Sequence, residues 1–267
     1  MEHIYFTKTS IGYSHLKAGK ICQDFSACYH DESRTIVTAC DGHGGNLYVR
    51  SHLGSRFASD ALMQVFTQLQ ESDFRRYRTE EIAEKLRLQI LCAWNGMVER
   101  HYSKDPVHRK ETRLLSEREA AQLKLNSAKA YGTTLGGAMV FGDKALCASL
   151  GDGGAFWLRG GALEPVFPES DEEETVANIT YSMCQEDAFH HLKATVCDFA
   201  DADGIVLCTD GVMGPYRNLA NFNESFVKPM TKLLRKGALA QTEEFMNRLG
   251  GEIGIGDDVS VAFILKR

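Results

Sequence analysis

Three times in this chain an apolar, β-branched run ends in aspartate followed by glycine. "TIVTACDGHGG" delivers Asp41, "KALCASLGDGG" delivers Asp152 and "GIVLCTDGVMG" delivers Asp210. A fourth stretch, "GIGDDVSVAFIL", reverses the order, with Asp257 and Asp258 ahead of the strand. A strand core has no use for an acid, and a plain turn has no need of the histidine that stands just past Asp41, at His43. In an antiparallel sheet the start of one strand lies beside the end of its neighbour. Asp41, Asp210 and Asp257 are therefore expected to gather at one rim. Glycine after the acid removes a Cβ and lets backbone and carbonyl oxygen approach a ligand closely.

Clustered carboxylates repel one another unless something positive sits among them. These are hard oxygen donors, with no paired cysteine or histidine for zinc, and that chemistry suits Mg²⁺ or Mn²⁺. A carboxylate such as Asp41, able to bridge two ions, fits a binuclear site with ions roughly 3.5–4 Å apart. One Asp-Gly after a strand is ordinary turn chemistry. Their joint occurrence is what carries the reading.

Short strand-like runs at 4–9, 24–29, 35–40, 137–141, 144–150, 155–159, 193–198, 204–208 and 259–265 cluster towards the two ends of the sequence. Turn-like "FGDK", "GDGG" and "LRGGAL" join several of them, which favours hairpins over parallel crossovers. Apolar stripes at helical spacing predict helices over 48–69, 80–102 and 238–249, all packed as core. Strand-rich ends that share sheets make residues 1–267 a single domain, with a polar, exposed helical connection around 103–130. At 43% hydrophobic residues the chain can build a sizeable core, and its net charge of -6 argues against nucleic acid or an anionic membrane as partner. The N-terminus has no signal-peptide pattern, and no run approaches the roughly 18 apolar residues of a membrane helix. Eight cysteines without a C-x-x-C pair read as small buried hydrophobes of a reducing, cytoplasmic protein.

The motifs "DGHGG", "YGTTLGGAMV", "SLGDGGAFWLRGG", "LCTDGVMG" and "GDDVSVAFI" occur in the order found in the metal-dependent (type 2C) serine/threonine protein phosphatases, which this chain resembles from Ser14 to Leu265. "SHLKAGKICQDFSACY" is similar to that family's first motif, and "QDFS" and "EEETVANITYSM" look closer to its bacterial branch. The resemblance implies an α+β fold, a four-layer α-β-β-α sandwich of two antiparallel sheets flanked by helices. It implies two Mn²⁺ or Mg²⁺ ions and hydrolysis of phosphoserine or phosphothreonine by a water activated between them. Asp41 matches the bridging carboxylate, Gly42 the residue whose carbonyl binds an ion, Asp210 and Asp257 the remaining direct ligands, and Asp24 an acid acting through water. His43 matches the general acid for the leaving alkoxide. The implied partners are phosphorylated proteins, including targets of a serine/threonine kinase.

Several positions depart from the family. Its phosphate-binding arginine is replaced by Gly19, for which Lys17 or Lys20 are the candidate substitutes, and Gln23 replaces an acid. Gly214 stands where a third ion needs a carboxylate, so Asp152 is either a third-ion ligand or a residue that orders its turn. Asp258 is either an extra ligand or a capping carboxylate. The segment 165–184, with its acidic "ESDEEE", takes the place of a substrate-side flap. Two other functions compete: a phosphatase-like sensor or scaffold, which the missing arginine favours, and a hydrolase of small phosphoesters.

Overall fold

The run Arg34–Cys40 is buried from end to end, and its side chains alternate between two apolar layers. Ile36 and Cys40 belong to a core shared with helices, whereas Val37 and Ala39 belong to a core between two sheets. A strand covered on both faces reads as a continuous apolar run, not an alternating one. The alternation places it inside a layered sandwich, and a computed structural model bears this out over residues 2–168, 180–252 and 254–267.

The strands are β1 (His3–Ser10), β2 (Phe25–His30), β3 (Arg34–Cys40), β4 (Leu135–Phe141), β5 (Lys144–Leu150), β6 (Gly154–Arg159), β7 (Ala162–Pro165), β8 (Lys193–Asp198), β9 (Gly204–Cys208) and β10 (Val259–Lys266). They form two five-stranded antiparallel sheets, in the orders β1-β10-β9-β6-β7 and β2-β3-β4-β5-β8. The helices are α1 (Tyr13–Lys17), α2 (Ser51–Gln68), α3 (Glu71–Arg76), α4 (Thr79–Lys104), α5 (Glu117–Leu125), α6 (Ala188–His191), α7 (Asp210–Met213), α8 (Leu219–Phe222), α9 (Lys228–Arg235) and α10 (Leu239–Leu249).

Three apolar cores give the layers. Between the sheets, Val37, Ala138, Cys147, Trp157, Leu207 and Ile264 pack together. Leu62 and Phe66 of α2 and Leu86, Ile90 and Trp94 of α4 cover the outer face of the second sheet. Met230 and Leu234 of α9 and Met246 of α10 cover the outer face of the first, against Val261 and Phe263. This is the expected four-layer α-β-β-α arrangement.

Polar contacts fix the helices on the sheets. Arg34 is buried and donates from Nη1 to the carbonyls of Phe66, Thr67 and Leu69, at 3.0, 3.0 and 2.9 Å. Those carbonyls lie at and just past the α2 C-terminus, where the last C=O groups of a helix run short of backbone partners; of the three, Phe66 O also accepts from Leu69 N, at 3.4 Å. Trp94 is fully buried and its Nε1 donates to Gly54 O at 3.1 Å, joining α4 to α2. The connection around 103–130 is partly helical, with Ser116 capping α5. It is also tethered: buried Arg50 forms a bidentate pair with Glu111, at 2.8 and 3.0 Å, and donates to Tyr131 Oη at 3.0 Å. Sequence periodicity did not predict α1, α3, α6, α7, α8, α9 or β7. All but α9 are too short to show a period, and Pro229 near the start of α9 reads as a break although proline is well placed there.

Candidate active site

The antiparallel registers bring the acids together in two pairs. Phe25 lies opposite Cys40, so Asp24, just ahead of β2, stands beside Asp41, just past β3. In the other sheet Cys208 lies opposite Val261, so Asp210, at the start of α7, and Asp257, ahead of β10, share that edge. The expectation of a single sheet rim for Asp41, Asp210 and Asp257 is thus corrected. β3 belongs to one sheet and β9 and β10 to the other, and face-to-face packing of the sheets is what unites the pairs. Asp152 comes from the turn between β5 and β6.

Asp24, Asp41, Gly42, His43, Asp152, Asp210, Asp257 and Asp258 all line one cavity of about 270 Å³, whose wall is completed by His15, Gln23, Gly44 and Thr180. A larger cavity of about 570 Å³, lined by residues such as His30, Arg34 and Phe141, contains none of these acids. Lys17 and Lys20 are exposed and do not line the carboxylate cavity.

The backbone around Asp41 is tightly held. Asp41 O accepts from Thr133 Oγ1 at 2.7 Å and from Thr134 N at 2.8 Å. Gly42 bridges to Thr133, and an added Cβ there would lie 2.5 Å from Gln23 O and 2.7 Å from Ser51 O. Only glycine lets these three segments meet. His43 donates its backbone N–H to Gly132 O at 3.1 Å, and its ring stands edge-on to Tyr48 with centroids 4.9 Å apart. Ser182 and Met183, near the end of the flap-region segment, hydrogen-bond Thr133 at 3.1 and 2.9 Å. The acidic "ESDEEE" of that segment, with the rest of 169–179, lies outside the described residues.

The electrostatics are those of a site short of positive charge. Burial pushes Asp24 up to about 7, against the pull of a 2.9 Å hydrogen bond from Thr209 Oγ1. Burial, followed by the charges of Asp24 and Asp210, holds Asp41 well above the ordinary carboxylate range. Asp210 is raised too, chiefly by burial, with Asp152 adding repulsion. Burial lowers the His43 imidazole, which Asp152 partly offsets. Among the described residues the cavity wall contains no lysine or arginine.

Among the described residues no three His, Cys, Asp or Glu side chains close on a single point to make a ready coordination shell. The carboxylates surround a space instead. They still fit hard divalent cations: the carboxylate donors are all oxygen, and Gln23 Oε1 is buried without a hydrogen-bond partner.

Asp258 does something different. Its Oδ1 accepts from Gly12 N at 2.7 Å, and its Oδ2 accepts from Gln23 N at 2.6 Å and His15 Nδ1 at 2.9 Å. Both oxygens are engaged by the chain itself, and these bonds tie the segments of Gly12–His15 and Gln23 to the start of β10. Sequence reasoning also passed over Thr209, whose Oγ1 accepts from Ser260 N at 3.0 Å while donating to Asp24, and His15, which carries no periodic or paired signal.

A family model described as protein phosphatase 2C matches residues 11–247. A comparison with curated protein sequences found no match. Among solved structures, the chain is similar to a bacterial serine phosphatase (16% identity, TM-score 0.61, covering 100% of this chain and 98% of that one). It is similar to PppA, a key regulatory component of T6SS in Pseudomonas aeruginosa (16% identity, TM-score 0.60, covering 99% and 98%). It is also similar to the catalytic domain of the serine threonine protein phosphatase PstP in complex with two manganese ions (17% identity, TM-score 0.57, covering 98% and 97%).

Proposed function

The chain belongs to the protein phosphatase 2C family, and from that premise we propose that it hydrolyses phosphoserine and phosphothreonine in proteins, using two Mn²⁺ or Mg²⁺ ions. The observation that carries the reading is the cavity in which Asp24, Asp41, Asp210 and Asp257 meet with no lysine or arginine in its wall among the described residues. Asp41, Asp210, Asp257 and the Gly42 carbonyl would hold the ions directly, and buried Asp24 would act from behind them. Asp152 is available to a further ion, though Thr180 Oγ1 already donates to it at 2.6 Å. Two such ions supply a nucleophile at neutral pH and neutralise charge on the phosphoryl oxygens.

The chain's own groups do the rest. His43 lines the cavity and carries a ring nitrogen able to hand a proton to the departing alkoxide. Its backbone is held by Gly132 and its ring by Tyr48, so the proton is delivered from a fixed position. Lys17 and Lys20, on the exposed surface beyond the cavity, are retained as candidates for contact with the phosphorylated segment. Proteins modified by a serine/threonine kinase in the same cytoplasm are the proposed substrates.

One observation favours a second reading, a phosphatase-like sensor or scaffold: Gly19 replaces the family's arginine and, among the described residues, no lysine or arginine lines the cavity. Release of phosphate from a phosphothreonine peptide separates the two, measured with EDTA, Mg²⁺ or Mn²⁺ beside Asp41→Asn. Metal-dependent release lost in the variant is the expected result. Absence of release from peptide and p-nitrophenyl phosphate alike, with calorimetry still recording metal binding, would favour the sensor. Release from p-nitrophenyl phosphate alone would favour small phosphoesters as substrates.

A further inference from the structure

We infer that His15 is the group that binds the substrate's phosphoryl oxygens, in place of the arginine absent at Gly19. The inference rests on the phosphoester reading above and concerns how that site recognises its ligand. A phosphate-binding site needs a donor directed into the cavity, and among the described residues the wall offers no guanidinium or ammonium. His15 is the cavity residue, other than His43, with a ring able to donate.

Its geometry is fixed from one side. Asp258 is 4% exposed and already accepts two backbone N–H bonds, from Gly12 and Gln23, so it faces His15 as an acceptor. Nδ1 of His15, 2.9 Å from Asp258 Oδ2, is therefore the donor of that pair. Nε2, on the other edge of the ring, has no hydrogen bond among the described residues and is not one of the buried unpaired atoms. It is accessible, on a residue that forms the cavity wall. With a second proton taken up from solvent the ring is an imidazolium, and Nε2–H donates to a phosphoryl oxygen at that edge while Nδ1–H stays on Asp258. The ring then stands between two anions and donates to both.

The arrangement accounts for two departures from the family together. Gly19 lies at φ +64, a left-handed turn in which an arginine would be strained, and no atom lies within 4 Å of where its Cβ would stand. The carboxylate at Asp258, with both oxygens occupied, orients His15 instead of an ion.

Two substitutions divide the ring's two edges. His15→Asn reproduces the donor at Nδ1 and loses the cavity edge, whereas His15→Gln places an amide near the Nε2 position and loses the bond to Asp258. Inorganic phosphate is titrated calorimetrically into the Mg²⁺-loaded full chain, with thermal melts and Mg²⁺ affinity recorded for each variant. His15→Asn should weaken phosphate binding about tenfold or more, the scale of one hydrogen bond to a charged group, with Mg²⁺ affinity unchanged. His15→Gln should retain most of the phosphate affinity but melt earlier. The reverse order, with phosphate affinity kept in His15→Asn and lost in His15→Gln, would make His15 a strut for Asp258 and overturn the inference. Phosphate binding by the wild type without any turnover would leave the inference standing and remove the hydrolase reading. A wild type that binds Mg²⁺ but no phosphate would overturn the inference.

Discussion

Replacing Asp258 by asparagine changes almost no volume and tests whether this carboxylate is a clamp or a ligand. In the wild type Oδ1 accepts from Gly12 N, and Oδ2 accepts from Gln23 N and His15 Nδ1. An asparagine amide has one oxygen. Whichever way it turns, its NH₂ group faces a backbone N–H, of Gly12 or of Gln23, at a residue that is 4% exposed. A buried donor left without a partner costs about 1–3 kcal/mol. The bond that survives also changes from carboxylate to neutral amide, losing about 1 kcal/mol more on the same scale. The sum is about 2–4 kcal/mol, out of a total stability of about 5–15 kcal/mol. For a chain of this size that is a fall in Tm of about 4–16 °C. Urea unfolding with an unchanged m-value, together with Mn²⁺ calorimetry, measures both sides of the question. Asp258→Asn is expected to lower the urea midpoint while the number of bound ions stays the same. A variant as stable as the wild type that has lost an ion would refute the clamp.

Two other perturbations probe how the site is supported. Gly42→Ala should leave the chain largely unfolded or insoluble, because the new methyl meets the backbone oxygens of Gln23 and Ser51 and neither can retreat; a soluble protein with a wild-type melt would show that those segments yield. The tether of the 103–130 connection should depend on pH through Glu111, whose carboxyl is held below its ordinary range first by the hydrogen bonds from Arg50. A depressed folded pKa gives stability that is fully present above the unfolded value, about 4.3, and is lost as pH falls through the folded one. The stability gap between wild type and Glu111→Gln should therefore be widest near neutrality and close below about pH 4, as followed by urea unfolding at stepped pH; a gap that widens in acid would contradict it.

Much of this architecture is legible along the chain. The nine strand-like runs correspond to β1–β6 and β8–β10 to within a couple of residues, and the long helices α2 and α4 follow their apolar stripes. Strand ends at Asp41, Asp152 and Asp210 could be read because a carboxylate after a buried strand is a local contradiction. The pairings that escaped act at long range. Asp258 meets Gly12, His15 and Gln23 across more than 230 positions of sequence, and Thr209 meets Asp24 across 185. No periodicity or spacing encodes such a pair.

The sequence by itself determined which residues could serve as hard oxygen donors and which strands would present them, since burial of β-branched runs and the chemistry of Asp-Gly are local properties. The tertiary structure decided which carboxylates meet. Antiparallel register could only pair Asp24 with Asp41 and Asp210 with Asp257, each within its own sheet. The apolar core between the sheets, from Val37 to Ile264, holds those two edges against each other. It also made the adjacent aspartates unlike: Asp257 stays exposed at the cavity, and Asp258, one residue on, turns inward to be engaged by backbone N–H groups.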